Sequence, residues 1–322
     1  PDSQDPEPMS HTLTTFAPGF FSVVRDIEIQ ENRVFWTDLN QKQSKIESCI
    51  FAPPAKEGNR IYPTPKGDCY GQPFTVYASN NLAGDGNIAS NKHYLFWEEL
   101  GTASNIDVYA CSLTDISVEK GCIKPQQLPL TYNLPWVSYA NALKATRNNL
   151  YIYITQHDST TNFWRSKIIS YHFLTKTVTT LVDRTGKAPY VQPFSAGIGV
   201  VSSPSPTEDL DFLFTVDNEN KGILQFLPVK QGKGIPPWMP FITSGWVYDF
   251  SVDSEAALFH MAYNAYDSNL RTTIFGLLSP MNHLKIPVDR FTEGHPYPKA
   301  NDARGNFAYL VYPNLPYHGS CS

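Results

Sequence analysis

A six-fold aromatic motif, 26 scattered prolines and a surplus of tyrosine and phenylalanine predict an all-β protein, a six-bladed β-propeller. In each copy a polar turn leads into a short aromatic and β-branched run that ends in polar or acidic residues. The copies read Asn32-Arg-Val-Phe-Trp-Thr-Asp38, Lys92-His-Tyr-Leu-Phe-Trp-Glu98, Asn148-Asn-Leu-Tyr-Ile-Tyr-Ile154, Asp211-Phe-Leu-Phe-Thr-Val-Asp217, Ala256-Ala-Leu-Phe-His-Met-Ala262 and Gly305-Asn-Phe-Ala-Tyr-Leu-Val311. Anchored on Phe35, Phe96, Tyr151, Leu213, Phe259 and Tyr309, the steps are 61, 55, 62, 46 and 50 residues. Eighteen Tyr, nineteen Phe and six Trp suit pleated, half-buried surfaces. The prolines leave few windows for a long helix.

The polar, proline-rich residues 1–10 are expected to be disordered, with 11–322 forming one domain. Val24–Gln30 is expected as the innermost strand of the first unit and feeds the first aromatic strand. Ser44–Phe51 follows as the third strand, and the fourth is expected around Arg60–Tyr62. The second unit continues from Gly86–Ser90 through its aromatic strand to Asn105–Ser112. In the third unit, Ser166–Phe173 and Thr177–Val182 flank a short polar turn, a hairpin pattern. Gly222–Phe226 and Arg271–Leu278 supply the third strands of the fourth and fifth units. Only short chain remains after Tyr309–Tyr312, so the orphan strand His11–Phe16 is expected to complete the sixth unit and close the ring. Closure removes exposed sheet edges that invite aggregation.

Charge is modest, with 25 Lys plus Arg against 30 Asp plus Glu. The basic stripe of a nucleic-acid binder is missing, and no apolar run is long enough to span a membrane. Charged residues make up 17%, below the roughly 25% usual in soluble domains. A surface of that kind, together with five cysteines, leads us to expect secretion, with any leader removed. Cys111 with Cys122 and Cys49 with Cys69 bracket equivalent segments, which favours two local disulfides worth about 2–3 kcal/mol each. A bridge between neighbouring units, Cys49 to Cys111, is the competing pairing. Cys321 is left over, free or available to link an oligomer.

The second strands end in Asp38, Glu98, Glu99, His157, Asp158 and Asp217, with Asn218, Asn264, Asp267 and Asn314 in matching places. Loops after second strands and connections between units share one face in this architecture. The connections add Trp136, Tyr139, Tyr190, Trp246 and Tyr248 to it, along with Phe20, Phe21, Phe291 and Tyr297. Aromatic rings beside acids and amides suit sugars, peptides or cationic small molecules. Against this, Asp and Asn after a strand are ordinary turn residues, and Trp36 and Trp97 lie inside strands as core. No catalytic residue stands out: there is no His-Glu-x-x-His, no Gly-x-Ser-x-Gly elbow and no phosphate loop. No cofactor is read from the chain. Asp26, Asp249, Asp253 and Asp302 fall on or near innermost strands, where converging carboxylates would suit calcium.

Arg33-Val-Phe-Trp-Thr-Asp-Leu39, followed by Ser44-Lys-Ile-Glu-Ser48, resembles the YWTD repeat of six-bladed receptor propellers over about one unit. Leu95-Phe-Trp-Glu98 echoes it. The size and aromatic repeats are similar to the six-bladed fungal fucose-binding lectins, although the Arg, Glu and Trp set those lectins repeat is not kept here. Lactonase-type propellers, with a metal in the central channel, are an analogy of fold alone. The loop aromatics and acids gathered on one face lead us to expect a secreted recognition protein for a carbohydrate or protein ligand. The enzymatic alternative is a metal-assisted hydrolase or lactonase at the channel.

Overall fold

The computed structural model describes residues 24–30, 33–39, 43–50, 55–57, 60–62, 73–82, 86–101, 105–133, 138–203, 207–220, 222–242, 246–253, 258–264, 270–277, 289–293, 300–304 and 307–311. These residues are all β apart from turns and two short 3-10 segments. The expected strand His11–Phe16, and with it the expected closure of the ring, lies outside them.

The first sheet is formed by β1 (Val24–Gln30), β2 (Arg33–Leu39) and β3 (Ser44–Ile50). Residues expected to supply its fourth strand do something else. Here β4 (Ala55–Glu57) and β5 (Arg60–Tyr62) pair with each other, and the edge of the sheet is β6 (Phe74–Ser79). The physical reason is burial: Val76 of β6 seals against the neighbouring sheet at 3% exposure.

The second sheet runs β7 (Ile88–Ser90), β8 (Tyr94–Leu100), β9 (Asn105–Ser112) and then, past a small hairpin of β10 (Ile116–Ser117) and β11 (Gly121–Cys122), β12 (Gln126–Asn133). Cys111 and Cys122 form a disulfide across this hairpin, with Cα atoms 6.2 Å apart. That bond rules out the Cys49–Cys111 pairing. Cys49 is also disulfide-bonded, while Cys69 and Cys321 lie outside the described residues.

The third sheet is the regular meander β13 (Ser138–Ala145), β14 (Asn149–His157), β15 (Trp164–His172), β16 (Thr177–Thr185). In the fourth, β17 (Phe194–Ser202), β18 (Leu210–Asp217) and β19 (Ile223–Lys230) are followed by two short pieces, β20 (Lys233–Gly234) and β21 (Met239–Ile242), both paired to β19. The fifth comprises β22 (Trp246–Asp253), β23 (Leu258–Asn264), β24 (Leu270–Leu277) and β25 (Asp289–Glu293). A final pair is β26 (Ala300–Arg304) and β27 (Phe307–Val311).

Neighbouring sheets meet through their first strands: β1 lies against β7, β7 against β13, β13 against β17, β17 against β22, β22 against β26, and β26 against β1. This is a propeller-like arrangement. It explains why the second strands carry the aromatic motif. A second strand is covered on both faces by adjacent sheets, so its apolar run is continuous instead of alternating. Phe35, Tyr151 and Leu213 are fully buried, and Trp36 and Trp97 are core as expected. Edge strands revert to a mixed pattern: β16 has no buried residue. Three apolar clusters fill the joints between consecutive sheets from the first to the fourth.

Four first strands, β1, β13, β17 and β22, are bulged near their starts. A bulge re-aims the side chains next to it. In β17 the bulge uses Gly197, whose φ of +74° favours glycine.

Candidate ligand-binding face

Every second strand runs antiparallel to the first strand beside it, so the ends of β2, β8, β14 and β18 share a face with the starts of β1, β7, β13 and β17. The acids at these ends are turned into the protein. Asp38, Glu98, Glu99 and Asp217 are 1–8% exposed. Glu98 accepts from Asn87 Nδ2 at 3.1 Å, and Glu99 from Trp97 Nε1 at 3.3 Å. Burial, together with the Glu99 carboxylate bonded to it, pushes the Tyr77 hydroxyl well above its ordinary value. Asp217 caps the following turn through the backbone N–H groups of Glu219 and Asn220, and accepts from Asn220 Nδ2 at 2.7 Å and Arg184 Nη1 at 3.3 Å.

The third sheet is different. His157 ends β14 half-buried, its ring 4.6 Å from that of Trp164 across the hairpin. Asp158 is half-buried and closes the loop that follows, accepting from the Thr160 N–H at 2.9 Å and the Thr161 hydroxyl at 2.6 Å. Those hydrogen bonds, the hydroxyl foremost, hold its carboxyl below the usual range. The loop turns at Asn162, with φ +61°.

Beyond β16 the connection to the fourth sheet continues along this loop, with Gly186 N–H donating to Trp164 O at 2.7 Å and Tyr190 N–H to Asn162 O at 2.8 Å. Tyr190 itself is left-handed, with φ +63°, and 71% exposed. On its other side the connection is tied to the fourth sheet. Glu219 pairs with Arg184 and accepts from the backbone N–H of Lys187, while Arg184 lies 5.4 Å over the Phe194 ring. A bulky residue held at positive φ is strained, and such strain persists only where surrounding contacts over-determine it.

The structure thus brings His157, Asp158 and Tyr190 to one rim and leaves Asp38, Glu98, Glu99 and Asp217 engaged inside the fold. Tyr139 falls at the start of β13, and Trp246 and Tyr248 at the start of β22. Trp136 lies outside the described residues. Sequence reading missed Trp164, Asn162 and the Arg184–Glu219 anchor. A signal for Asn162 existed, since Asp158-Ser-Thr-Thr-Asn162 is an Asx-type turn sequence.

Nearer the centre, β1 presents Asp26 and Glu28 to the open edge of β7. Asp26 accepts from the Ile88 N–H at 3.0 Å, and Glu28 from the Ser90 N–H at 3.1 Å. Lys144 of β13 reaches Glu28 at 3.3 Å. Burial raises the Asp26 carboxyl to about 6. Among the described residues no group of three or more His, Cys, Asp or Glu side chains is placed to hold a metal ion, and no helix is long and apolar enough to cross a membrane.

These observations define an all-β, propeller-like protein in which His157, Asp158 and Tyr190 fall on one loop face. The sequence matches no family model and no curated protein. Among solved structures it is similar to the SapL1 lectin, described in complex with alpha methyl fucoside. That likeness has a TM-score of 0.50 at 6% identity and covers 91% of this chain and 89% of the lectin. A structural genomics protein of unknown function from Bacteroides thetaiotaomicron VPI-5482 scores 0.45 at 14% identity, covering 92% of this chain and 68% of its own. A prolyl endopeptidase scores 0.45 at 11% identity, with 84% of this chain covering 43% of the enzyme. The lectin likeness speaks for the fold alone.

Proposed function

We propose that the protein is a secreted, lectin-like recognition module: a single six-bladed β-propeller over residues 11–322 that binds a carbohydrate on its loop face. The cyclic order of first-strand contacts supports the six-fold count, with β26 returning to β1. In this reading the strand at residues 11–16 completes the last blade. The Cys111–Cys122 disulfide is compatible with an oxidising compartment.

The single observation that carries the binding site is Tyr190, 71% exposed at positive φ on a connection anchored at both sides, its N–H donating to Asn162 O in the loop that joins His157 to Trp164. A rigid ring loses little freedom on binding, and a sugar stacks on its face while neighbouring polar groups take the hydroxyls. Asn162, Asp158 and Lys187 supply those groups. In this reading Tyr139, at the start of β13, and Trp246 and Tyr248, at the start of β22, extend the same face.

The test is a glycan array followed by calorimetry on the best binder. Tyr190→Ala is expected to weaken that binding at least about tenfold, equivalent to about 1.4 kcal/mol, without changing the melting temperature. Absence of any glycan ligand, or unchanged affinity in Tyr190→Ala, overturns the reading. The second reading, a metal-assisted hydrolase or lactonase at the channel, draws on Asp26, whose carboxyl is raised to about 6 on an inner strand. It requires calcium or a similar ion and an activity lost on chelation, whereas sugar binding at Tyr190 survives chelator.

A further inference from the structure

The fourth sheet lacks a continuous edge strand. Its edge is broken into β20 and β21 by Ile235–Trp238, and both pieces pair with β19. Beside the break lies a half-open pocket of about 400 Å³ lined by residues of the third and fourth sheets. It is lined by Thr179, Thr180 and Leu181 of β16, Leu227 of β19, and Gly234, Pro236 and Trp238 along the broken edge. Lys233 stands at the rim. The volume lies within the roughly 300–1,000 Å³ of small-ligand sites.

The cavity is held in shape by contacts across the joint. The β19–β20 hairpin turns through Gln231 (φ +52°) and Gly232 (φ +71°), a two-residue left-handed turn. Its tip is fastened to the rest of the molecule, with the Gln231 N–H donating to Asp209 O at 3.0 Å and the Ser170 hydroxyl to Gly232 O at 2.5 Å. Gly234 packs closely on Leu227, since a Cβ there would come within 2.8 Å of Leu227 Cδ2. Trp238 is half-buried against the same core and 6.0 Å from Phe194. Lys233, by contrast, is exposed and takes part in none of the ion pairs among the described residues. The nearby Asp209 is committed to His172 at 2.7 Å and Asn148 at 3.1 Å.

We propose that this cavity is a second binding site, separate from the Tyr190 rim, for a sugar unit that carries a carboxylate. The indole of Trp238 takes the ring face, the threonine hydroxyls take sugar hydroxyls, and Lys233 takes the carboxylate. Charge decides the class. A neutral sugar leaves the ammonium of Lys233 to water, whereas the carboxylate of a uronate gains a charge-assisted hydrogen bond from it. The inference draws on the carbohydrate reading above for its ligand class, but on none of its residues.

The probe is glucuronic acid, titrated by NMR against the whole protein with glucose and inorganic phosphate as controls. Glucuronate is expected to shift Trp238 indole and Thr179 or Thr180 methyl signals, and to bind about tenfold more weakly to Lys233→Gln. Tyr190→Ala should bind glucuronate as the wild type does, which separates this site from the loop-face site. Lys233 is exposed, so the variant is expected to fold, and its melting curve checks this. Equal binding of glucose, equal binding of phosphate, no binding of glucuronate, or full affinity in Lys233→Gln each overturns the proposal.

Discussion

Two joints in this molecule solve one problem with different chemistry. Between the third and fourth sheets a single buried carboxylate, Asp211, gathers four neutral donors. The Thr146 hydroxyl and Asn149 Nδ2 at 2.8 Å and the Tyr151 hydroxyl at 2.7 Å reach Oδ2, and the Ser202 hydroxyl at 3.0 Å reaches Oδ1. Among the first three sheets, Asp26 and Glu28 satisfy the open backbone edge of β7, and the cation of Lys144 offsets their charge. The first joint is a closed knot in which one acid serves four partners. The second is a chain in which two acids serve an edge and share one lysine. A knot fails when its centre is removed. A chain fails link by link.

Asp211→Ala is therefore the largest expected effect. It strands three nearly fully buried donors, on Thr146, Asn149 and Tyr151, each costing about 1–3 kcal/mol when left unmade. We expect a loss of about 3–5 kcal/mol in urea unfolding, with Asp211→Asn recovering part of it. A loss below about 1 kcal/mol would break the comparison, because it would mean the donors find other partners.

Next comes Glu28→Ala, expected to cost about 2–3 kcal/mol by leaving the Ser90 N–H and hydroxyl without that carboxylate. Lys144 is partly exposed and can reach water, so Lys144→Met should cost less, about 1 kcal/mol. The double-mutant cycle sharpens the point: a coupling of about 1 kcal/mol is expected for Glu28 with Lys144, against a larger one for Asp211 with Tyr151.

These joints also show what could be read from residues alone. The second strands were legible because both of their faces are buried, so Phe35, Tyr151 and Leu213 announce themselves as unbroken apolar runs. The first strand at Val24–Gln30 and the hairpin of β15 and β16 were legible from alternation. The edge of the first sheet was not. Phe74–Ser79 buries one residue, Val76, and looks no more strand-like than Arg60–Tyr62. The Cys111–Cys122 hairpin was readable from spacing. In the candidate site, Tyr190 stood out as an aromatic in a connection. Its anchors did not, because Arg184 and Glu219 are 35 residues apart and meet only once two sheets pack. The strand-end acids were visible as positions, but whether a carboxylate faces water or the joint depends on packing that sequence does not display.

The smallest expected effect is a slope. The Asp26 carboxyl titrates at about 6 in the folded protein against an ordinary value of 3.8, chiefly because burial disfavours its charge. Between about pH 4 and pH 6 the folded state then holds a proton that the unfolded chain has released. Stability contributed by Asp26 is present below about pH 4, falls as pH rises through about 6, and is level above. Asp158 and Asp183, held low by their partners, slope the other way. The readout is accordingly the difference between wild type and Asp26→Asn in urea unfolding at pH 4.5 and pH 7. Asp26→Asn should remove the Asp26 slope while leaving the others. Lys144 is the strongest influence holding the Asp26 value down, so Lys144→Met should carry the same slope to higher pH. If Lys144→Met leaves the pH window unchanged, Asp26 and Lys144 are not electrostatically linked, and the three-sheet chain reduces to a pair of separate contacts.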